Sequence, residues 1–307
     1  MRLRIATCQF PTSRDIGRNL EYVLRQMRIA HARVADVAHF PEACLSGYAG
    51  ADIASTEEID WDLLRHSTRR ARDLAGDLGM WVVLGSTHRL TPPHKPHNSL
   101  YIISDHGVLV DRYDKLFCAG DGSPDPPTGD LANYSPGDHF SVFTIKGVRC
   151  GALICHDYRY PELYREYKRR GVDAVFHSFH AGHIDPDRMR LMREYVGAQR
   201  RSASRGDTIP AITQRAAMQA AAAANHMWIS CPNSSARESC WGSFFVRPDG
   251  VVSGRLRRNV AGVLVSEIDT DETLYDSTAA WRDRAMDGVF HSGTPVQDPR
   301  SANRTQY

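Results

Sequence analysis

Three residues suited to covalent chemistry each follow an apolar stretch that reads as a buried strand. Cys155 closes Val148-Arg149-Cys150-Gly151-Ala152-Leu153-Ile154 and opens His156-Asp157-Tyr158-Arg159-Tyr160-Pro161-Glu162, where polar residues and a proline mark a turn and a helix start. A thiol at that junction faces backbone N–H groups that are free to donate, which suits a nucleophile. Glu42 stands in His39-Phe40-Pro41-Glu42-Ala43-Cys44-Leu45-Ser46-Gly47-Tyr48, where a partly buried carboxylate can work as a general base. Lys115, in Tyr113-Asp114-Lys115-Leu116-Phe117, sits among aromatic and aliphatic neighbours that can desolvate it and aim it inward. Each has a plainer reading too. Cys155 can be a small buried hydrophobe, Glu42 a surface residue capping a loop, and Lys115 an edge-strand lysine lying along apolar surface.

Periodicity locates the elements that must carry these side chains. Residues 2–9 read as a strand, and Leu20, Val23, Leu24, Met27, Ala30 and Val34 recur at helical spacing. Residues 36–40 form a second strand. Leu64, Thr68, Ala71, Leu74, Ala75 and Leu78 mark an amphipathic helix started by Asp60 and stopped by Gly79, with a strand at 81–85 after it. Strands at 99–104 and 108–113 around Asp105-His106-Gly107 read as a hairpin. Residues 118–137 are rich in Gly, Pro and Asp, a long loop of the kind that is usually functional or disordered.

Further strands are expected at 140–145, 148–155, 172–178, 227–231, 243–247 and 262–268, with helices at 161–170, 188–199 and 210–225. Met189, Met192 and Val196 share one helix face and read as core. Beyond about residue 286 the chain turns polar, so residues 1–286 are expected as one domain and 287–307 as a tail, disordered or touching a second copy. Strand–helix alternation mixed with hairpins argues for α/β architecture, with one mixed sheet or two packed sheets and outer helices.

Composition narrows the class. Among 307 residues, 38 basic and 36 acidic side chains give a net charge of +2, too balanced to argue for a nucleic-acid partner. Arg188, Arg190, Arg193, Arg200 and Arg201 read as a solvated helix face. The seven cysteines include no C-x-x-C pair and lie mostly in apolar segments, which points to a reducing, cytoplasmic setting. No apolar stretch approaches the roughly 18 residues of a membrane span.

In sequence order, Pro41-Glu42-Ala43-Cys44-Leu45-Ser46-Gly47-Tyr48, Tyr113-Asp114-Lys115-Leu116 and Ile154-Cys155-His156-Asp157-Tyr158-Arg159-Tyr160-Pro161-Glu162 resemble the nitrilase (carbon–nitrogen hydrolase) superfamily, in its amidase-like branch. Asn98-Ser99, Ser135-Pro136-Gly137-Asp138 and Pro248-Asp249-Gly250 extend the resemblance over roughly residues 3 to 285. It implies a four-layer α-β-β-α sandwich of two mixed sheets, a homodimer or higher homo-oligomer, and no metal or organic cofactor. It also implies hydrolysis of a non-peptide C–N bond, amide or carbamoyl in preference to nitrile. In that scheme Cys155 forms the thioester, Glu42 is the general base, and Lys115 with the His156 N–H holds the oxyanion.

Two departures bear on substrate. The family's second glutamate falls at Asp130, one methylene shorter, with Asp121, Asp125 and Asp138 as rivals along the loop. His156 replaces the usual aromatic or acidic residue after the cysteine and is assigned to the pocket, as are Tyr48 and His180. Arg159 and Glu162 are expected to form an ion pair. Two other readings stay open: a catalytically silent binding or assembly protein, and a zinc site built from His177, His180 and His183.

Overall fold

Alternating apolar residues build twelve strands over the residues described, 1–123 and 125–305 of a computed structural model. These are β1 (Arg2–Gln9), β2 (Val37–His39), β3 (Trp81–His88), β4 (His97–Ile103), β5 (Leu109–Asp114), β6 (Val142–Ile145), β7 (Val148–Ile154), β8 (Ala174–Ser178), β9 (Trp228–Cys231), β10 (Phe244–Val246), β11 (Val252–Arg255) and β12 (Gly262–Asp269). They form two six-stranded sheets, ordered β12-β1-β2-β3-β4-β5 and β11-β10-β9-β8-β7-β6. Each has a parallel centre, β1-β2-β3 in one and β7-β8-β9 in the other, flanked by antiparallel neighbours.

The helices are α1 (Ile16–Ala32), α2 (Trp61–Leu78), α3 (Pro161–Arg169), α4 (Pro186–Val196), α5 (Ala198–Ser204), α6 (Ile209–Asn225), α7 (Arg282–Met286) and α8 (Pro299–Ala302). Local chemistry sets their ends. Asp60 caps α2 by accepting from the N–H groups of Asp62 and Leu63, and Gly79 closes it in the left-handed conformation.

Period-two alternation makes β1 buried on both faces. Leu3 and Ile5 join Val37, Val83, Leu100 and Ile102 in a core shared with Phe143, Phe176, Ile229 and Phe244 of the opposite sheet. Ala6 and Cys8 point the other way, packing with Ala38 and Val82 against Val23 and Met27 of α1 and Ala71 and Ala75 of α2. On the outer side of the second sheet lie α3 and α6, whose Leu163, Tyr164, Met218 and Ala222 belong to the first core. The result is the expected α-β-β-α sandwich. Strands β2, β5 and β7 lead into the segments that carry Glu42, Lys115 and Cys155.

Several bounds differ from expectation. β3 runs three residues further, to His88, because Ser86 and Thr87 continue its pairing with β4. The helix expected over 188–199 is two, divided at Gly197 with φ +76°, a conformation that interrupts the helix. Edge strand β11 was not foreseen; its short, partly exposed Val-Ser-Gly-Arg segment carries little apolar pattern. Met189 and Val196 are buried, whereas Arg190 pairs with Asp187 and Glu194 at the solvated surface.

Candidate active site

A strand end aims each of the three reactive side chains. After β2, the chain crosses β3 so closely that a Cβ on Gly85 would lie 1.9 Å from the Pro41 carbonyl oxygen. That approach turns Glu42 fully inward. After β5, the backbone N–H of Lys115 still donates to the Asn98 carbonyl at 2.9 Å, so the strand geometry carries the lysine into the same space. After β7, Cys155 takes φ +39° at the start of a 3₁₀ turn, Cys155–Arg159. Such a backbone costs of order 1–3 kcal/mol and persists where surrounding contacts hold it.

Asp157 supplies those contacts. Its buried carboxylate accepts from Ile154 N–H at 2.9 Å, from the Tyr113 hydroxyl at 2.8 Å and from Phe117 N–H at 2.9 Å. One side chain thus ties the Cys155 turn to both flanks of Lys115. Burial pushes the Asp157 carboxyl up to about 6, partly opposed by those hydrogen bonds.

Lys115 Nζ bridges two carboxylates, at 2.7 Å from Glu42 Oε1 and 2.7 Å from Asp130 Oδ2. Asn98 Nδ2 donates to the same Glu42 Oε1 at 2.8 Å, whereas Glu42 Oε2 is buried with no protein partner. Burial alone would lower the Lys115 pKa, yet Glu42 and Asp130 outweigh it and hold the ammonium well above its usual value. Lys115 in turn keeps Asp130 ionised below the usual carboxylate range, against the cost of burying it. The Cys155 thiol is raised well above its ordinary value by burial and by Glu42, with Lys115 opposing. Burial thus disfavours the charged sulfur, and reaction requires a base beside it.

Asp130 reaches Lys115 despite its short side chain because its turn packs closely against Ala119. Gly129, at φ +57°, lets the turn Gly129–Ala132 sit where a Cβ would be 2.3 Å from the Ala119 carbonyl oxygen. The Asp130 N–H then donates to that oxygen at 2.6 Å, and Ala119 N–H returns a bond to Asp130 Oδ2 at 2.7 Å. Asp121, Asp125 and Asp138 are exposed and do not join the cluster.

The remaining expected pocket residues divide. The Tyr48 hydroxyl donates to Asp130 Oδ1, and Lys115 Nζ lies 5.8 Å from its ring centre. His180 stacks on Tyr48 at 5.1 Å. His156 is half-buried beside Tyr160, itself stacked on Phe117 at 3.7 Å, and burial lowers its pKa. His177 does not join His180 and His183: its Nε2 donates to the Cys155 carbonyl at 3.2 Å and its Nδ1 accepts from Tyr164 at 2.8 Å. Among the described residues no His, Cys, Asp or Glu group is arranged to hold a metal ion. The expected Arg159–Glu162 ion pair does not form; the Arg159 guanidinium instead lies over the Tyr158 ring at 5.0 Å.

The family profile of carbon-nitrogen hydrolases matches residues 4–274. The chain belongs to that family. Among curated proteins, it is 29% identical to an omega-amidase of Bos taurus over 178 residues, covering 56% of this chain and 61% of that one. It is 24% identical to the N-carbamoylputrescine amidase of Arabidopsis thaliana over 297 residues, covering 92% of each. The chain spans about half to three fifths of the first relatives it matches. Among solved structures, a variant of the amidase from Nesterenkonia sp. AN1 superposes with TM-score 0.66 at 22% identity, over 87% of this chain and 90% of that one. That amidase carries the acetamide moiety of fluoroacetamide on its active-site cysteine. At this identity the superposition establishes the shared fold.

Three contributors to the site escaped the sequence. Asn98, near the start of β4, was visible only through the Asn98-Ser99 match, and nothing local marked it as a partner of Glu42. Asp157 was visible only as part of a motif. Asp52, which binds His180 and His183, left no local mark at all.

Proposed function

We propose that this protein hydrolyses a C–N bond of a small amide or carbamoyl compound through a thioester on Cys155. The observation that carries the reading is the free, buried Oε2 of Glu42, whose other oxygen is fixed by Lys115 and Asn98. A carboxylate held on one side and open on the other is poised to move a proton. Glu42 takes the thiol proton as sulfur adds to the substrate carbonyl carbon. Lys115 and the N–H of His156, at the start of the 3₁₀ turn, stabilise the oxyanion. Glu42 passes the proton to the departing nitrogen as the C–N bond breaks. Water, losing a proton to Glu42, then attacks the thioester, and the carboxylic or carbamic acid leaves as sulfur is reprotonated.

Asp130 and Tyr48 orient Lys115, and His156 and His180 line the substrate space. We read residues 1–286 as the catalytic domain and 287–307, of which 306 and 307 lie outside the described residues, as a tail contacting another copy in a homodimer or higher oligomer. Exposed Phe290 and Val296 support that contact. Seven unpaired cysteines support a cytoplasmic setting. No helix among the described residues is long and apolar enough to cross a membrane. The charge balance gives no support to a nucleic-acid partner.

The test is incubation of the protein with simple amides, carbamoyl compounds and nitriles, followed by intact-mass measurement and product assay. An acyl adduct and released ammonia, both absent in Cys155→Ala, are expected. The absence of any adduct or hydrolysis across the panel would favour the silent binding protein.

A further inference from the structure

Away from the Cys155 site, one face of α2 looks onto the edge of the first sheet. Trp61, Leu64, Arg65, Arg69 and Arg72 fall at helical spacing and form a single stripe along that face. Opposite the stripe stand His88 at the end of β3, Arg89 just beyond it, and Tyr101 and Ile103 of β4. Between them lies a cavity of about 390 Å³, within the roughly 300–1,000 Å³ of small-molecule sites. Its lining includes none of Glu42, Lys115, Asp130 and Cys155.

That lining is apolar below and cationic above. Leu64 and Ile103 are buried and form a floor with Trp61, whereas Arg65, Arg69 and Arg89 are exposed and Arg72 is half-buried. No aspartate or glutamate lines the cavity. Arg65 and Arg72 pair with Asp62 and Asp73 at the solvated surface. Among the described residues Arg69 and Arg89 meet no carboxylate, and the Arg89 guanidinium lies 5.5 Å over the Trp61 ring. The sheet side adds a directed donor. Arg112 Nη1 donates to His88 Nε2 at 2.7 Å, which makes that nitrogen an acceptor and leaves the imidazole proton on Nδ1. Nδ1 then donates to the Tyr101 hydroxyl oxygen at 2.9 Å. The Tyr101 O–H proton is left for another acceptor, and Tyr101 and His88 both line the cavity. Asp114 holds Arg112 in turn, at 2.8 Å from Nε and 2.9 Å from Nη2, so the hydroxyl is oriented from the sheet edge.

We propose that this cavity binds an amphipathic organic anion, its apolar body over Trp61, Leu64 and Ile103 and its anionic head taken by the Tyr101 hydroxyl with Arg69 and Arg89. Burial of the body supplies affinity, and arginines without a carboxylate among them supply the choice of sign. A neutral head forfeits the charge-assisted hydrogen bonds, and an ammonium head meets like charges. His88 and Arg112 are positioning residues that act through the Tyr101 hydroxyl. The site stands apart from the Cys155 chemistry and does not depend on it.

The experiment titrates the protein by calorimetry with 4-phenylbutyrate, 4-phenylbutan-1-ol and 4-phenylbutylamine, which share a body and differ in the charge of the head. 4-Phenylbutyrate is expected to bind at least about tenfold tighter than the alcohol, with the amine weakest. Tyr101→Phe removes only the hydroxyl and should weaken 4-phenylbutyrate about tenfold. Arg69→Glu/Arg89→Glu changes two exposed positions and should reverse the order, so that the amine binds better than the carboxylate. Both variants should unfold within a few degrees of wild type, which shows that the cavity's walls are in place. A carboxylate preference that survives the arginine reversal puts the anion elsewhere, the Cys155 site included, and overturns the proposal. So does a missing preference or the absence of measurable binding. A second copy of the chain seated on this face would also overturn it, appearing in sedimentation velocity as an assembly that Arg69→Glu/Arg89→Glu takes apart.

Discussion

Two buried polar clusters occupy this sandwich, and they end differently. Between the sheets, His39 Nδ1 bonds to Ser230 Oγ and Nε2 to Ser178 Oγ, each at 2.9 Å. Ser230 continues to Thr7 at 2.8 Å, and Ser178 donates to the Phe40 carbonyl at 2.7 Å. Both nitrogens of that ring are partnered. At the strand ends, the Glu42–Lys115–Asp130 group and the Asp52–His180 pair are equally enclosed but stop at Glu42 Oε2 and His180 Nδ1. A closed network holds two sheets in register. An open one keeps an unmet hydrogen bond, worth about 1–3 kcal/mol, for something that enters.

The sharpest way to break this comparison is to remove the nucleophile. Cys155→Ala should abolish amide turnover, a loss on the order of 10⁴-fold or more, with unfolding unchanged within about 1 kcal/mol. Glu42→Gln and Lys115→Met come next, each costing about 10²–10⁴ in kcat, read by steady-state kinetics on any amide the protein accepts. Equal loss from His39→Gln would erase the distinction between the clusters.

Asp130→Asn tests whether the second carboxylate only steers Lys115. It keeps the shape of the Tyr48 and Ala119 contacts and removes a charge, so a loss of about 10–100-fold in kcat with little change in KM is expected. The closed cluster should answer in stability instead. His39→Gln is expected to retain activity within severalfold and to lose about 1–3 kcal/mol in urea unfolding.

The smallest effect is a slope with pH. Burial holds His39 well below its ordinary 6.5, so the folded protein keeps it neutral while the unfolded chain takes a proton in acid. Stability is therefore lost as pH falls below 6.5, by about 2 kcal/mol between pH 7 and 5 for this one group. His177, lowered to about 3 by burial, acts in the same direction. Denaturation of wild type should be steeper over that range than that of His39→Gln; parallel curves would count against a neutral, buried His39.

Much of this was legible along the chain. Asp60 and Gly79 bound α2 because capping and left-handed turns are local physics. Glu42, Lys115 and Cys155 follow strands that periodicity locates, and their order and neighbours identified the family. Less legible was what Gly197 does to the helix beyond Val196, or that edge strand β11 forms from a segment with little apolar alternation.

Sequence alone determined which residue types could react and which strands would end beside them, because each signal lies within a few neighbouring positions. Tertiary structure decided what stands next to what across the fold. Only the approach of Gly129 to Ala119 makes Asp130 long enough for Lys115. Only the meeting of residues 52, 180 and 183 leaves His180 Nδ1 buried without a partner. Hydrogen bonds and ion pairs act over about 3 Å of space, and no spacing along a chain encodes that distance between segments that only the fold brings together.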